Sequence, residues 1–243
     1  MEQALNPDGI KMLRNHLRIL CLAGLVGCFT PASAFPQELS DLRELVDEAR
    51  LTFESFVGNP DNAWLRDTVK HAKGVFIMPS LGEAGYLVGG SLGNAVLLLR
   101  DEQTGAWSEP AFYRLVGGTF GFQLGASNSE ILGLVMTQRG VESLLGSTVL
   151  LGAGATVAVG PVGGGISGAV SPRVATDFVT FARSKGAIVN LSLGGTIVAV
   201  RGDAHEVYYG ERVSPQDILI DRKISNWYSA RIRKAVALAV GGD

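Results

Sequence analysis

The sequence predicts an α+β fold in which a curved, mostly antiparallel and barrel-like β-sheet follows N-terminal helices and precedes a C-terminal helix. Apolar residues recur every three or four positions up to residue 72, and short β-type runs bounded by glycine, proline, asparagine or aspartate begin at residue 75. A Gly-Gly pair followed by Ser or Thr occurs at residues 89–91, 117–119 and 194–196. Glycine within a strand suits a sharp bend or a close approach of backbones, so this repetition predicts strong curvature of the sheet.

Residues 1–34 are predicted to be a secretory signal peptide. Basic residues at positions 14, 16 and 18 precede an uncharged run over residues 19–30, and Ala-Ser-Ala at residues 32–34 has the form of a cleavage site. The apolar run is too short to cross the ~30 Å hydrocarbon core of a bilayer as a helix. Met12 stands directly before this pattern and is an alternative start of translation. The protein is therefore expected to be exported.

Cys28 offers an alternative point of processing. The sequence Leu-Val-Gly-Cys at residues 25–28 resembles the lipobox of bacterial lipoproteins, in which the cysteine becomes an acylated first residue. Cleavage after Ala34 predicts a periplasmic protein, and cleavage before Cys28 predicts a lipoprotein anchored at the outer membrane. Both cysteines of the chain, Cys21 and Cys28, lie in this region, so the mature chain is expected to have no disulfide and no thiolate metal site.

Two helices are predicted before the sheet. Residues 39–56 have apolar side chains at helical spacing, and Ser40 or Asp41 can cap the first turn. Gly-Asn-Pro at residues 58–60 interrupts this pattern, and a second helix is expected from Asp61 or Asn62 to Gly74.

The strands are predicted from short apolar runs after residue 74. They are residues 75–78, 85–88, 95–99, 112–116, 120–124, 131–136, 148–159, 187–193 and 196–201. Residues 141–145 are expected to form a short helix, and residues 174–183 fit either a helix or a strand. Residues 143–172 carry no charge, which suits a membrane-inserting segment or a buried sheet with glycine turns; the many glycines and Pro161 favour the sheet.

Residues 221–243 are predicted to form a basic amphipathic tail. Its candidate membrane-contact residues are Arg222, Lys223, Trp227, Tyr228, Arg231, Arg233 and Lys234. Cations next to a Trp-Tyr pair are typical of a helix that lies on an anionic membrane. The alternative is a terminal helix that packs on the domain with its charges in solvent.

Two motifs resemble catalytic or cofactor sequences. Residues 89–93 match the G-x-S-x-G elbow of serine hydrolases, with Ser91 as nucleophile and His205 with Asp177 or Asp203 as partners, but the residues after it predict a strand instead of the required helix. Residues 163–168 match G-x-G-x-x-G, but Pro172 disfavours the helix that a dinucleotide site needs. His205 lies between acidic residues, which allows a weak metal site, but an exposed turn histidine is the preferred interpretation.

A series of ordered motifs resembles the SYLF-domain family of lipid-binding proteins. They are Ala-Trp-Leu-Arg-Asp at 63–67, Ala-Lys-Gly-Val-Phe-Ile-Met-Pro at 72–79, Ala-Gly-Tyr at 84–86, Gly-Gly-Ser at 89–91, Trp-Ser-Glu-Pro-Ala-Phe-Tyr at 107–113, Gly-Thr-Phe-Gly at 118–121, Gln-Leu-Gly-Ala at 123–126, Gly-Pro-Val-Gly at 160–163, Tyr-Tyr-Gly at 208–210 and Asp-Ile-Leu at 217–219. The resemblance covers residues 42–219. It implies a mixed α/β lipid-binding domain over residues 35–220, with no catalytic residues, metal or cofactor.

The resemblance also implies where a lipid headgroup is held. Lys70 and Lys73, just before the first strand, match the family pattern best, and Arg100, Arg114 and Lys185 are further candidates from charge alone. Eukaryotic relatives are associated with phosphoinositides through a leading amphipathic helix. Here that helix has six acidic residues between positions 38 and 54 and only two arginines, so it is expected to repel an anionic surface.

The expected function is that of an exported, non-catalytic phospholipid-binding protein of the bacterial envelope. The chain has 21 Lys and Arg against 23 Asp and Glu, a net charge of −2, so nucleic acid is not an expected partner. A small serine esterase that uses Ser91 is one alternative. A structural envelope protein that acts through protein partners is the other.

Overall fold

The computed structural model of the protein describes residues 34–85, 88–120, 125–159, 176–184, 187–189 and 193–241. Contacts divide the chain into two units, Met1–Gln37 and Glu38–Asp243, and the sheet and core belong to the second. Predicted features outside the described residues include residues 1–33 of the signal peptide with Cys28, the glycine motif at 163–168, Lys185, and parts of the predicted strands 120–124 and 187–193. None of the described helices is both long and apolar enough to cross a membrane.

Both N-terminal helices form where the apolar spacing predicts them. Helix α1 spans Ala34–Gly58 and helix α2 spans Ala63–His71, with a 3-10 turn at Pro60–Asn62 between them. One face of α1 is fully buried, and its members are Leu42, Val46, Ala49, Phe53 and Phe56. The Asn59 side chain accepts a hydrogen bond from the Asp61 N–H and so caps the 3-10 turn.

The described strands form one nine-stranded sheet. They are β1 Gly74–Gly85, β2 Val88–Leu99, β3 Ala111–Phe120, β4 Gly125–Val135, β5 Thr148–Leu150, β6 Val157–Val159, β7 Phe178–Ser184, β8 Ala187–Val189 and β9 Ile197–Val200. The order is β5-β9-β3-β2-β1-β4-β7-β6, and β8 also pairs with β7. Of the described strand pairs, β6 with β7 is parallel and the others are antiparallel. The predicted α+β class with a curled, mostly antiparallel sheet is confirmed.

The central strands are longer than the sequence patterns predict. Strand β1 runs through Pro79, where the register with both neighbouring strands shifts, because a bulge accommodates a residue that has no N–H to donate. Gly93 in β2 lies against this bulge, and a Cβ there would stand 2.7 Å from the Ser80 carbonyl oxygen. Two of the three Gly-Gly pairs lie within strands, with Gly90 opposite Gly118, whereas the third forms the turn before β9.

Two clusters of buried apolar side chains lie on opposite faces of the sheet. The helix-facing cluster joins the sheet to α1 and α2 and includes Phe53, Phe56, Leu65, Val75, Ile77, Val96, Leu98, Phe112, Leu132, Leu134, Ile232 and Val236. The inner cluster includes Phe76, Met78, Leu97, Tyr113, Leu115, Ile131, Val141, Leu144 and Ile218. Neighbouring residues of one strand therefore enter different clusters, as the period of two along a strand requires.

The described residues after the central strands include four further α-helices. They are α3 Gln138–Leu145, α4 Gly202–Tyr209, α5 Pro215–Leu219 and α6 Ala230–Ala239, and a 3-10 turn at Trp227–Ser229 leads into α6. The predicted short helix is confirmed as α3, and the ambiguous residues 174–183 contribute β7. The predicted strand over residues 148–159 is wrong in its middle, because a turn separates β5 from β6. The sequence patterns did not predict α4 or α5. The predicted boundary at residue 220 stays a prediction, and beyond it Ile232 and Val236 of α6 are fully buried.

Candidate functional site

Helix α6 has one buried and one exposed face. Ile232 and Val236 have no exposed surface and anchor the helix in the helix-facing cluster. The opposite side has exposed residues at Arg231, Lys234 and Leu238, and Trp227 of the 3-10 turn that leads into the helix extends it. We call these four residues the outer face of α6. Trp227 is 77% exposed and Leu238 is 57% exposed, so two large apolar groups flank two cations on one surface.

The two cations of the outer face are not tied to acidic groups. Arg231 and Lys234 are exposed and form no ion pair within the described ranges. Their charge is therefore available to a ligand.

The other four predicted tail residues are held by the fold. Arg233 forms an ion pair with Glu109, a carboxylate that is only 4% exposed. Lys223 contacts Asp217 at 2.6 Å and Asp221 at 2.9 Å, and hydrogen bonds to these carboxylates raise the pKa of Lys223. The two further contacts join Arg222 to Asp101 at 3.6 Å and the Tyr228 hydroxyl, as donor, to Asp47. The predicted tail residues therefore form two groups, one exposed to solvent and one held by contacts within the fold.

Arg43 of α1 connects the start of α6 to the first helix. Its guanidinium carbon lies 5.9 Å from the ring centroid of Trp227 and 5.3 Å from that of Tyr228. Such cation–π contacts hold the aromatic pair at this surface without burying Trp227. Arg43 also adds a third positive charge beside the outer face.

The predicted headgroup residues lie in more than one place. Lys70, Lys73 and Arg100 come together, because the Arg100 guanidinium donates to the Lys70 carbonyl oxygen at 3.2 Å and the Lys73 carbonyl oxygen accepts from the Arg100 N–H at 2.8 Å. We call these three residues the loop rim. Lys73 also forms an ion pair with Glu102, and the adjoining groove of about 440 Å³ is lined by Asp101 and Glu102 as well as by the cations.

Arg114 and Lys185 do not join the loop rim. Arg114 lies on β3, where its guanidinium donates to the Asn94 side chain at 3.3 Å in a different groove, beside α1. Lys185 lies outside the described residues. Among the described residues, three of the five predicted headgroup positions therefore share a surface.

The apolar interior offers little room for an acyl chain. An apolar cavity on the inner face of the sheet, lined by Phe76, Leu115, Ile131 and Leu144 among others, has a volume of about 20 Å³. A space of this size holds about one water-sized probe. In the described part of the chain, lipid contact at this cavity would therefore need the core to open, and the exposed surfaces are the better candidates.

His205 is a core residue, and the prediction of an exposed turn histidine is wrong. It lies in α4 with no exposed surface. Its Nε2 accepts a hydrogen bond from the Phe112 N–H at 2.8 Å, and its Nδ1 donates to the Val213 carbonyl oxygen at 3.2 Å. Burial lowers the pKa of His205 to about 4 and keeps the ring neutral. The described residues include no group of three or more acidic, histidine or cysteine side chains that could hold a metal.

Ser91 does not have the geometry of a hydrolase nucleophile. It lies in the middle of β2 opposite Gly117, whereas a nucleophile elbow places the serine on a turn between a strand and a helix. A Cβ at Gly117 would stand 2.4 Å from the Ser91 Oγ, so the glycine gives this side chain its space. Asp177, one of its predicted partners, is fully buried and accepts hydrogen bonds from Thr137, Arg139 and Thr156, which outweigh the effect of burial and lower its pKa.

Comparison with known proteins identifies a matching family and several relatives. Residues 116–237 match the family described as Ysc84, Las17-binding protein actin regulator. SH3 domain-containing YSC84-like protein 1 of Bos taurus is 32% identical over 161 residues, which are 66% of this chain and 47% of that protein. LAS seventeen-binding protein 3 of Saccharomyces cerevisiae is 30% identical over 159 residues, 64% of this chain and 34% of that protein.

The chain spans about half the length, or less, of these curated relatives. The family description and the name of the yeast relative describe binding and regulatory proteins and not enzymes. The match covers half of this chain and agrees with the motifs that indicate a SYLF domain. The chain therefore belongs to the Ysc84 family of SYLF-domain proteins.

Proposed function

We propose that this protein is an exported, non-catalytic phospholipid-binding protein of the bacterial envelope, and that it contacts membranes through the outer face of α6. The carrying observation is the exposure of Trp227 and Leu238 on either side of Arg231 and Lys234. Tryptophan is favoured at the headgroup level of a bilayer, and an amphipathic helix with basic residues lies in that plane. The buried face of α6 holds this surface in a fixed orientation on the domain.

The energetics describe a weak and reversible contact. A Lys or Arg near an anionic membrane surface contributes about 1 kcal/mol, so Arg231 and Lys234 together contribute about 2 kcal/mol. Stable anchoring usually needs a second signal, such as an acyl chain. In a lipoprotein, the acyl chains on Cys28 would supply this second signal. Without that anchor, a periplasmic protein would bind the membrane only transiently.

Tryptophan fluorescence tests this proposal directly. The chain has three tryptophans: Trp107 is buried, Trp64 is 41% exposed, and Trp227 is the most exposed. Phosphatidylglycerol vesicles should shift the emission of the chain from Phe35 onward to shorter wavelengths, because the Trp227 ring leaves water. This chain retains all the described core residues, and a cooperative thermal transition checks that it is folded.

Two matched variants locate the contact. Trp227→Phe should abolish the spectral shift, whereas Trp64→Phe should retain it. Phosphatidylcholine vesicles and high salt should reduce the shift in the unchanged chain, because salt screens exposed charges. A shift that persists in Trp227→Phe, or no shift with either vesicle, would exclude the outer face of α6 as the membrane contact.

A protein partner is the second candidate function. The yeast relative is named as a binding protein for Las17, and the family description names an actin regulator. These names favour recognition of protein as a family activity. A partner that this protein retains from detergent-free envelope extracts after lipid removal would support this alternative.

A further inference from the structure

A second surface has the opposite chemistry and lies beside the first half of α1. It is a groove of about 580 Å³ between α1 and the sheet. Four carboxylates of α1 line it, at Glu38, Asp41, Glu44 and Glu48, and we call them the acidic wall. Two arginines also line it, but Arg201 contacts Asp203 at 3.0 Å, so the groove keeps an excess of negative charge.

The acidic wall includes negative charges that a partner could contact. Glu44 and Glu48 are exposed, and neither forms an ion pair with another described residue. From residue 38 to residue 48 the helix rises about 15 Å, since each residue adds about 1.5 Å. Basic side chains over a similar length would find a complementary surface.

An apolar row continues from this groove across the sheet. Leu92 lines the groove and lies opposite Val116, which lies opposite Ile197. Ile197 in turn lies opposite Leu150, so four strands each contribute one residue. We call these residues the apolar row, and their exposed fractions are 57%, 46%, 42% and 43% in that order.

The apolar row is an uncovered extension of the helix-facing side of the sheet. Leu92 is separated by an even number of residues from Val96 and Leu98, which pack against the helices, so it points to the same face. The row crosses three strand spacings, or about 14 Å. Contiguous exposed apolar side chains beside charged groups are typical of a protein-binding surface.

We propose that the apolar row and the acidic wall together bind a basic amphipathic helix of about three turns from a partner protein. The strands lie about 4.8 Å apart, close to the 5.4 Å pitch of a helix, so successive turns can place an apolar residue over successive strands. Side chains on one face of an extended peptide recur only every ~6.7 Å. Lysine or arginine on the flank of the helix would face the acidic wall.

The charge of the groove favours a protein over a membrane as occupant. Anionic lipid headgroups would be repelled by the acidic wall, whereas the outer face of α6 attracts them. The two surfaces therefore fit different ligands. The binding of a basic helix does not depend on the proposed lipid contact, and either can fail alone.

A model peptide tests this inference. The probe is a labelled 14-residue peptide of Leu and Lys with Leu at helical spacing, and the control probe has Glu in place of every Lys. The chain from Phe35 should bind the Lys peptide and not the Glu peptide. Glu48→Lys should weaken binding about tenfold, because it places a like charge against the lysines. The matched control Glu211→Lys should have no effect, since Glu211 is an exposed acid outside the groove.

A second variant tests the apolar part. Ile197→Ser should also weaken binding of the Lys peptide, and thermal unfolding should confirm that both variants are folded. Equal binding of the Lys peptide by Glu48→Lys and the unchanged chain would overturn the proposal, as would equal binding of the Glu peptide or no binding at all. Self-association that blocks the peptide and disappears in Glu48→Lys would assign the groove to a second copy of this chain and would also overturn it.

Discussion

The loop rim and the outer face of α6 both carry exposed basic residues, but their surroundings differ. In the loop rim, Lys73 is paired with Glu102, and Asp101 lines the same groove. On α6, Arg231 and Lys234 lie between two exposed apolar groups and have no acidic partner among the described residues. The comparison indicates that the acids close to a cation, and not only the number of cations in a segment, determine the net charge that a phosphate would encounter.

The two regions also differ in how a phosphate would be accommodated. An exposed ion pair contributes only about 0–1 kcal/mol, so Lys73 can leave Glu102 at little cost. The Glu102 carboxylate nevertheless stays in the groove and repels an anionic headgroup. On the outer face of α6, no described carboxylate is paired with Arg231 or Lys234, and the exposed Trp227 ring favours the membrane interface.

Substitution of two arginines of α6 should distinguish a structural charge from a charge that is available to a ligand. The largest expected effect is on the free energy of unfolding. Arg233→Ala should lower the free energy of unfolding by about 3 kcal/mol, because it leaves the buried Glu109 carboxylate without its cation. Arg231→Ala should change it by less than about 0.5 kcal/mol, since Arg231 is exposed and unpaired. Urea unfolding of both variants measures the difference. Equal stabilities of the two variants would mean that the ion pair of Arg233 with Glu109 does not give Arg233 a structural role that Arg231 lacks.

A pH titration should show the pH range over which the protein stays folded, and so the range in which vesicle binding can be compared. The folded pKa of His205 is about 4, below its unfolded value, so the unfolded chain takes up a proton first as pH falls. Stability from this residue is complete above about pH 6.5 and decreases towards pH 4, with a loss of about 2 kcal/mol between pH 7.5 and pH 5. Urea unfolding at several pH values measures it. His205→Gln should be less stable at pH 7.5 but show a flatter profile, and an unchanged slope would assign the loss to other groups.

Much of the fold could be predicted from local sequence patterns, because apolar spacing and turn residues act on the chain close to where they occur. The apolar spacing of α1 and the Gly-Asn-Pro break after it both correspond to structure. Helix α5 has only five residues, too few for periodicity to reveal. Helix α4 is as long as α3 but lacks its pronounced apolar face, and it is placed by contacts such as the His205 hydrogen bond to Phe112. Short helices of this kind depend on tertiary packing.

The candidate site was less predictable than the fold. The sequence identified the basic tail, but it could not separate Arg231 from Arg233, because the partner of Arg233 lies 124 positions away in the chain. The Lys73 pair with Glu102 spans 29 positions. The apolar row was missed for the same reason: its four residues come from four strands and become neighbours only through the register of the sheet.

Vesicle titration of two double variants tests the central claim most directly. Removal of the two free cations in Arg231→Ala with Lys234→Ala should weaken binding to phosphatidylglycerol vesicles about 30-fold, from about 1 kcal/mol for each charge. Lys70→Ala with Lys73→Ala should weaken it by less than about fivefold, because the loop rim is not the proposed contact and Lys70 alone is lost as a free charge. A larger loss from the Lys70 and Lys73 variant, or full binding by the Arg231 and Lys234 variant, would contradict the assignment of the membrane contact to α6.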